Sequence, residues 1–470
     1  MNEMLTHTLV ELAEAIRKRR ISPVELMDAV LARIEETNKD LNAVVAMYEP
    51  HALRKDARAA EERIMRGEGR PLEGIPLGVK DLEDAAGLVT SMGSLPFRTN
   101  VARGDSTQVK RFRAAGAIVL GKTNAPEFGF TAITKNLVYG VTRSPWNLER
   151  TPGGSSGGSA AALAGCVLPL VTSSDGGGSI RIPASFVGAF GLKPSFGRIP
   201  RGPLDQWSYG DTISYGPLTK TVEDAAMFLD QVAGYSPCDP GSLPYPGISY
   251  LHAVREGLPG TLRVGYSPDL GYAVVQSDVA TVVEEGVRVF ESMGHRVTTL
   301  GKGPPLSGGE WGVLGSFELI SSIHEMLPQH EAEFGRSFLD WLKSGRLVTP
   351  EWWGEAARKR AALNDWCTEV FDQVDILITP TVPFDPVLAK GPFPEQTEGR
   401  PQVPVGVASF TIPFNLSLHP AASLRAGLSR VGLPVGLQIV GPRHRDDLVL
   451  QAARAFEQER PWHPRWPTAW

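Results

Sequence analysis

The sequence predicts an α/β protein, and three observations carry that reading. Short apolar runs bounded by turn residues alternate with amphipathic helical stretches. Strand–helix–strand units can be read around residues 75–120 and again around 262–300. The 50 glycines and 38 prolines are enough for many tight turns, yet stay below the share that marks a low-complexity chain.

Thr8-x-x-Glu11 and Ser22-Pro23-Val24-Glu25 are capping boxes that open two helices, the second with proline at its first position. Leu26, Val30 and Ile34 then give the second helix an apolar face. A charged helix follows over residues 52–66. Ile75 to Val79 reads as a buried strand ending at Lys80-Asp81, and a helix over 107–115 leads into a strand over 117–120. Residues 151–200 form a glycine- and serine-rich centre. Leu262 to Tyr266 is a strand; Asp278 opens a helix with Val279, Val282, Val283 and Phe290 inward, and Gly294 stops it before a strand over 295–300. From 301 to about 360 the pattern weakens, with aromatic helices around Trp341 and Trp352. A strand over 375–379 and the apolar segment over 433–440 restore the core signal. Without a repeat or a long linker, residues 1–470 read as one domain, with a variable helical insertion at about 301–360.

Composition narrows the function. The 470 residues are 42% hydrophobic and 21% charged, enough to bury a large core. Forty-seven basic against 52 acidic residues leave a net charge of −5, which argues against a nucleic-acid footprint. Cys166, Cys238 and Cys367 are odd in number and far apart, so neither a disulfide framework nor a thiolate metal site is expected. Glu3, Glu11 and Glu14 do not fit a secretory signal. Of the uncharged stretch from Thr151 to Ser174 only Ala160 to Val171 is apolar, too short to span a bilayer, and the one over 401–424 is broken by Pro404, Pro413 and Pro420. A cytoplasmic protein without membrane contact is the expectation.

Several motifs match chemistry in the wrong context. Gly116 to Thr123 has the spacing of a phosphate-binding loop, but its Ala-Ile-Val-Leu interior reads as a buried strand. Gly153-Gly154-Ser155-Ser156-Gly157 has the nucleophile-elbow pattern, yet a polar, proline-broken loop precedes it instead of an apolar strand. His324-Glu325 lacks the second histidine of a zinc protease, since position 328 is Pro328. No serine precedes any lysine by three positions.

Two serine–glycine clusters remain. Gly153 to Ser159 runs into an alanine-rich helix, where small residues admit close backbone approach. Asp175-Gly176-Gly177-Gly178-Ser179-Ile180-Arg181 places three glycines before a serine, so successive N–H groups can turn inward toward an oxyanion. A serine hydroxyl needs a base, and no histidine lies between His51 and His252. A neutral lysine is the alternative. At its reference pKa only about 0.04% of a lysine is uncharged at pH 7, and burial without a carboxylate partner raises that share. Lys80, emerging from an apolar strand, fits; its plainer reading is a strand-end lysine paired with Asp81.

At these residues the chain resembles the amidase signature family. The likeness rests on Gly78-Val79-Lys80-Asp81, on Gly153 to Gly158 and on Asp175 to Pro183, with Lys80 and Ser155 75 residues apart and Ser155 and Ser179 24 apart. It extends through Gly121 to Gly129, Gly191 to Pro194, Gly216 to Leu218 and Gly432 to Gln438, and is weakest over 301–360. The resemblance implies a large mixed β-sheet core covered by helices on both faces. It implies Ser179 as the acylated nucleophile, Ser155 as a bridging serine after a cis peptide bond, and Lys80 as the base. The N–H groups of Gly176, Gly177, Gly178 and Ser179 would form the oxyanion hole, with Asp175 and Arg181 supporting that loop. Position 176 is commonly larger in the family, so Gly176 implies a wider acyl pocket or a looser loop.

The reaction so implied is hydrolysis of a small amide or carbamate through an acyl-enzyme, with no metal or organic cofactor. The rivals are the glutamine-amidase subunit of a tRNA-dependent amidotransferase, whose members usually carry glutamine where this chain has Ile182, and a non-catalytic binding module on the same scaffold.

Overall fold

The computed structural model describes residues 2–203, 210–463 and 466–467. The strand expected before Lys80 forms part of a four-stranded sheet made of β1 (Val44–Met47), β2 (Pro76–Lys80), β3 (Ile118–Thr123) and β4 (Leu170–Val171), in the order β1-β3-β2-β4. β2 runs parallel to β3 and β4, and β1 is antiparallel to β3. Every residue of β2 and β3 is buried, which is why both read as continuous apolar runs rather than alternating ones. The false phosphate-loop motif is β3 itself.

The large mixed sheet has seven strands: β5 (Phe190–Lys193), β6 (Leu218–Thr219), β7 (Arg263–Tyr266), β8 (Arg296–Thr299), β9 (Ile376–Pro380), β10 (Ala421–Leu428) and β11 (Pro434–Val440), ordered β6-β5-β10-β11-β9-β7-β8. β7 is parallel to β8 and β9, and the remaining pairs are antiparallel. Helices cover both faces. Gly286 of the Ser277–Ser292 helix packs on Leu437, whereas Ser185 of the Arg181–Val187 helix packs on Gly436, and adjacent strand residues face opposite sides. β10, the central partner of β5 and β11, lies in a stretch that sequence reading passes over. Its Ala-Ala-Ser-Leu-Arg-Ala-Gly-Leu run has none of the β-branched residues that mark strands.

Both N-terminal capping boxes form as expected: Thr8 with Glu11 and Ser22 with Glu25. The Gly157–Ala164 helix is buried along its whole length and bridges the two sheets. At Gly158 a Cβ would lie 2.2 Å from the Asn124 backbone nitrogen, so only glycine lets this helix start against the end of β3. The weakly patterned segment folds as the helices Gly309–Ile323, Leu327–His330 and Arg336–Ser344 and the start of Pro350–Gln373. Leu319, Ile320, Ile323, Phe338 and Leu342 from it form an apolar cluster with Met92, Phe97 and Phe128, separate from the main core. No helix among the described residues is long and apolar enough to cross a membrane.

Candidate active site

Lys80 ends β2 with its side chain fully buried. Its Nζ lies 2.8 Å from Ser155 Oγ, 2.8 Å from Ser156 Oγ and 3.0 Å from Ser174 Oγ, and donates to the Ser174 carbonyl at 3.3 Å. Asp81 does not take it: that carboxylate accepts from the Ser91 and Gly93 N–H groups and the Ser91 hydroxyl. Burial pushes the Lys80 amine down to about 7, against the opposing charges of Asp175 and Glu83. About half of such an amine is neutral at pH 7. A neutral amine has a lone pair, and the adjacent hydroxyls can donate to it.

Four lysines among the described residues are fully buried. Lys122 donates to the Glu83 carbonyl and Thr90, Lys193 to the Pro194 carbonyl, and Lys220 to the Leu5 and His7 carbonyls. Lys193 is also pushed down to about 7, by burial and by Arg181. Only Lys80 has its nitrogen among serine oxygens, so geometry singles it out where charge alone does not.

The Gly154–Ser155 peptide bond is cis. Ser179 sits beside Ser155 and Ser156, its carbonyl accepting the Ser156 N–H at 3.3 Å. Its side chain is half-buried, and its hydroxyl makes no hydrogen bond to a described residue. Lys80 and Ser155 are therefore in direct contact, whereas the Ser155–Ser179 link is open; such bonds are often long before a substrate carbonyl is in place.

Asp175 and Arg181 are both fully buried and form a two-pronged ion pair, with Nε and Nη2 each 2.9 Å from a carboxylate oxygen. The remaining Arg181 donors go to the Thr411 carbonyl at 3.0 Å, Gln438 Oε1 at 2.9 Å and Asn415 Oδ1 at 2.6 Å. Asn415 in turn donates to the Asp175 carboxylate and carbonyl, each at 2.9 Å. Burial pushes the Asp175 carboxyl up, but the Arg181 charge and hydrogen bonds and Asn415 outweigh it and hold it well below the usual carboxylate range. The same carboxylate accepts the N–H groups of Gly178 at 2.7 Å and Ile180 at 3.2 Å, so it shapes the turn that carries Ser179. Arg181→Met is expected to cost about 3–5 kcal/mol, because it leaves a buried, unpaired carboxylate. Urea unfolding checks this, and an unchanged midpoint would contradict it.

Two expectations need correction. Gly178 was expected among the oxyanion donors, but its N–H is occupied by Asp175; among the described residues the N–H groups of Gly176, Gly177 and Ser179 have no acceptor. Gly176 was expected to widen a pocket or loosen the loop. Instead Ile213 packs 3.2 Å from where a Cβ would sit, and the Trp311 Nε1–H donates to the Gly176 carbonyl at 2.6 Å, which holds the loop. Sequence reading missed Trp311, Thr411 and Asn415, which lie far along the chain from the loop they hold. Gln438 ends a stretch that carried the resemblance, and that is the only signal it gave.

Among the described residues no cluster of histidine, cysteine or acidic side chains could hold a metal ion. A family model described as Amidase matches residues 25–450. The chain is 34% identical to the acylamidase of Rhodococcus erythropolis over 99% of its own length and 98% of that protein's. It is also 34% identical to one of the subunits of the glutamyl-tRNA(Gln) amidotransferase of Geotalea daltonii, over 98% and 99%. In structure it resembles a bacterial aryl acylamidase of the amidase signature family, with a TM-score of 0.91 and 31% identity over 97% and 96% of the two chains. A 6-aminohexanoate cyclic dimer hydrolase superposes at 0.87 with 30% identity over 99% of each chain. With its fold, its buried lysine beside two serine loops and these relatives in agreement, the chain belongs to the amidase signature family of hydrolases.

Proposed function

We propose that the protein hydrolyses the C–N bond of small amides, of aryl acylamide, linear amide or carbamate type, through an acyl-enzyme on Ser179. The observation that carries this reading is the dry Lys80 amine, 2.8 Å from Ser155 Oγ and pushed down to about 7. Neutral Lys80 takes the Ser155 proton, and Ser155 takes that of Ser179 as its oxygen attacks the carbonyl. The developing oxyanion meets the N–H groups of Gly176, Gly177 and Ser179. The proton returns along the same chain to the leaving nitrogen, the C–N bond breaks, and water activated by the relay then releases the acid. The relay calls for no metal, so activity is expected to be the same before and after dialysis against a chelator. A loss restored by one divalent metal would contradict that.

Ile182, where the resemblance gives the amidotransferase subunits glutamine, supports a substrate other than glutamine. Ile182 is buried with Phe186, Val382, Phe384 and Val407, and its Cδ1 would lie 2.6 Å from a Cβ at Gly178. A side chain that recognises a polar amide end is missing at that position. We read residues 301–360 as a variable insertion on the substrate side of a single domain, and the three unpaired cysteines favour a reducing, cytoplasmic setting. The identity to the amidotransferase of Geotalea daltonii keeps a second reading, glutamine hydrolysis coupled to tRNA with a partner protein. A panel of N-acyl anilides, carbamates, esters and glutamine, ranked by kcat/KM, separates the two. Apolar anilides or carbamates are expected to lead by at least about tenfold, whereas tRNA-coupled ammonia release from glutamine, with the rest inert, would favour the rival.

A further inference from the structure

The turn before Ser179 presents carbonyl groups as well as N–H groups, and the structure ties two of those carbonyls down. The Trp311 Nε1–H donates to the Gly176 carbonyl at 2.6 Å, and the Thr411 hydroxyl donates to the Gly177 carbonyl at 2.7 Å. Across a trans peptide unit the carbonyl and the following N–H point in opposite directions. Holding the Gly177 carbonyl on Thr411 thus turns the Gly178 N–H the other way, onto Asp175 at 2.7 Å. Holding the Gly176 carbonyl on Trp311 turns the Gly177 N–H away from the indole, and among the described residues that N–H has no acceptor.

The ring itself is fitted to this turn. A Cβ at Gly177 would lie 2.8 Å from Trp311 Cζ2 and 3.0 Å from Cε2, closer than side chains approach. Trp311 belongs to the first turn of the Gly309–Ile323 helix, inside the segment least like the family. Through Trp311 that segment therefore reaches the turn before Ser179.

We propose that Trp311 is a positioning residue for the oxyanion: by holding the Gly176 carbonyl, its indole N–H aims the Gly177 N–H at the substrate's carbonyl oxygen. This deepens the acyl-enzyme reading above and rests on it. The gain falls in the transition state, where the oxygen carries charge, rather than in binding the neutral amide.

Trp311 also lines a cavity of about 240 Å³, so a smaller ring there leaves space instead of a clash. In the full chain, Trp311→Phe keeps an aromatic ring and removes the donor. It is expected to lower kcat on an aryl acylamide about 10- to 100-fold while KM stays within about twofold. Affinity for an aryl trifluoromethyl ketone, which forms a tetrahedral adduct, should fall by the same factor, and affinity for the amine product should not change. Should Trp311→Phe fail to fold, a tryptophan isostere carrying sulfur in place of the indole N–H, installed at 311, removes the donor with the shape kept, and the same losses are expected. A kcat within twofold of the unmodified protein in either variant, or equal losses of ketone and product affinity, would overturn the assignment of Trp311. An unmodified protein that neither hydrolyses the acylamide nor forms the ketone adduct would instead defeat the acyl-enzyme reading itself.

Discussion

Ser179→Ala is expected to lower kcat/KM for the best amide by about 10⁴-fold or more, leaving only what the oxyanion donors and binding provide. The residue has the position for it. It is half-buried, so a substrate can reach it, and it follows a turn whose Gly176 and Gly177 N–H groups have no acceptor among the described residues. Its neighbours hold the turn without touching the hydroxyl: Asp175 takes the N–H groups of Gly178 and Ile180, and the Ser179 carbonyl accepts from Ser156. The substitution removes one oxygen and leaves that framework intact, so stability should change little. A fluorophosphonate should label Ser179 in the unmodified protein and label nothing in the variant, as read by peptide mass spectrometry. Labelling of Ser155, or a Ser179→Ala protein with full turnover, would remove the nucleophile from the scheme.

Lys80→Met carries the second large effect, a loss of about 10²- to 10⁴-fold, the range a general base contributes. Methionine keeps the length of the side chain but leaves the Ser156 and Ser174 oxygens without the amine, so an unfolding midpoint measured beside the rate separates the missing base from a loosened site. The pH profile tests the same group independently. In the proposed relay the base is the neutral amine, and burial pushes Lys80 down to about 7 although Asp175 and Glu83 pull the other way. Below that value the amine is protonated and cannot accept, so kcat/KM should fall about tenfold per pH unit toward acid. Above it the amine is neutral and the rate should level off by about pH 8. Lys193, also near 7, touches no serine hydroxyl, so the acid limb should vanish with Lys80 alone. A Lys80→Met protein that keeps that limb would place the titrating group elsewhere.

Much of this site could be read from short stretches of chain. Three glycines before Ser179, and a lysine closing an apolar strand, are local patterns whose chemistry follows from residue type and spacing. The β7–helix–β8 unit was equally plain, because apolar periodicity and a stopping glycine are written in adjacent residues. β10 was not legible, since its small residues pack well only between β5 and β11. Nor were the partners of the Ser179 turn: Trp311 lies 135 residues from Gly176, and Asn415 lies 240 from Asp175. No local pattern encodes a contact at that distance.

By itself the sequence determined the α/β class and the serine-rich loops, and it raised the expectation of a lysine base because no histidine lies between His51 and His252. The tertiary structure alone decided that Lys80 turns to Ser155 rather than Asp81, that Asp175 claims the Gly178 N–H, and that β2 and β3 leave the large sheet for a smaller one. The physical reason is the same in each case. Residue type and spacing act over a few positions, whereas the basicity of an amine and the direction of an N–H are set by what packs around them: Ser155 and Ser174 lie 75 and 94 residues from Lys80, and Thr411, which holds the Gly177 carbonyl so that the Gly178 N–H faces Asp175, lies 234 from Gly177.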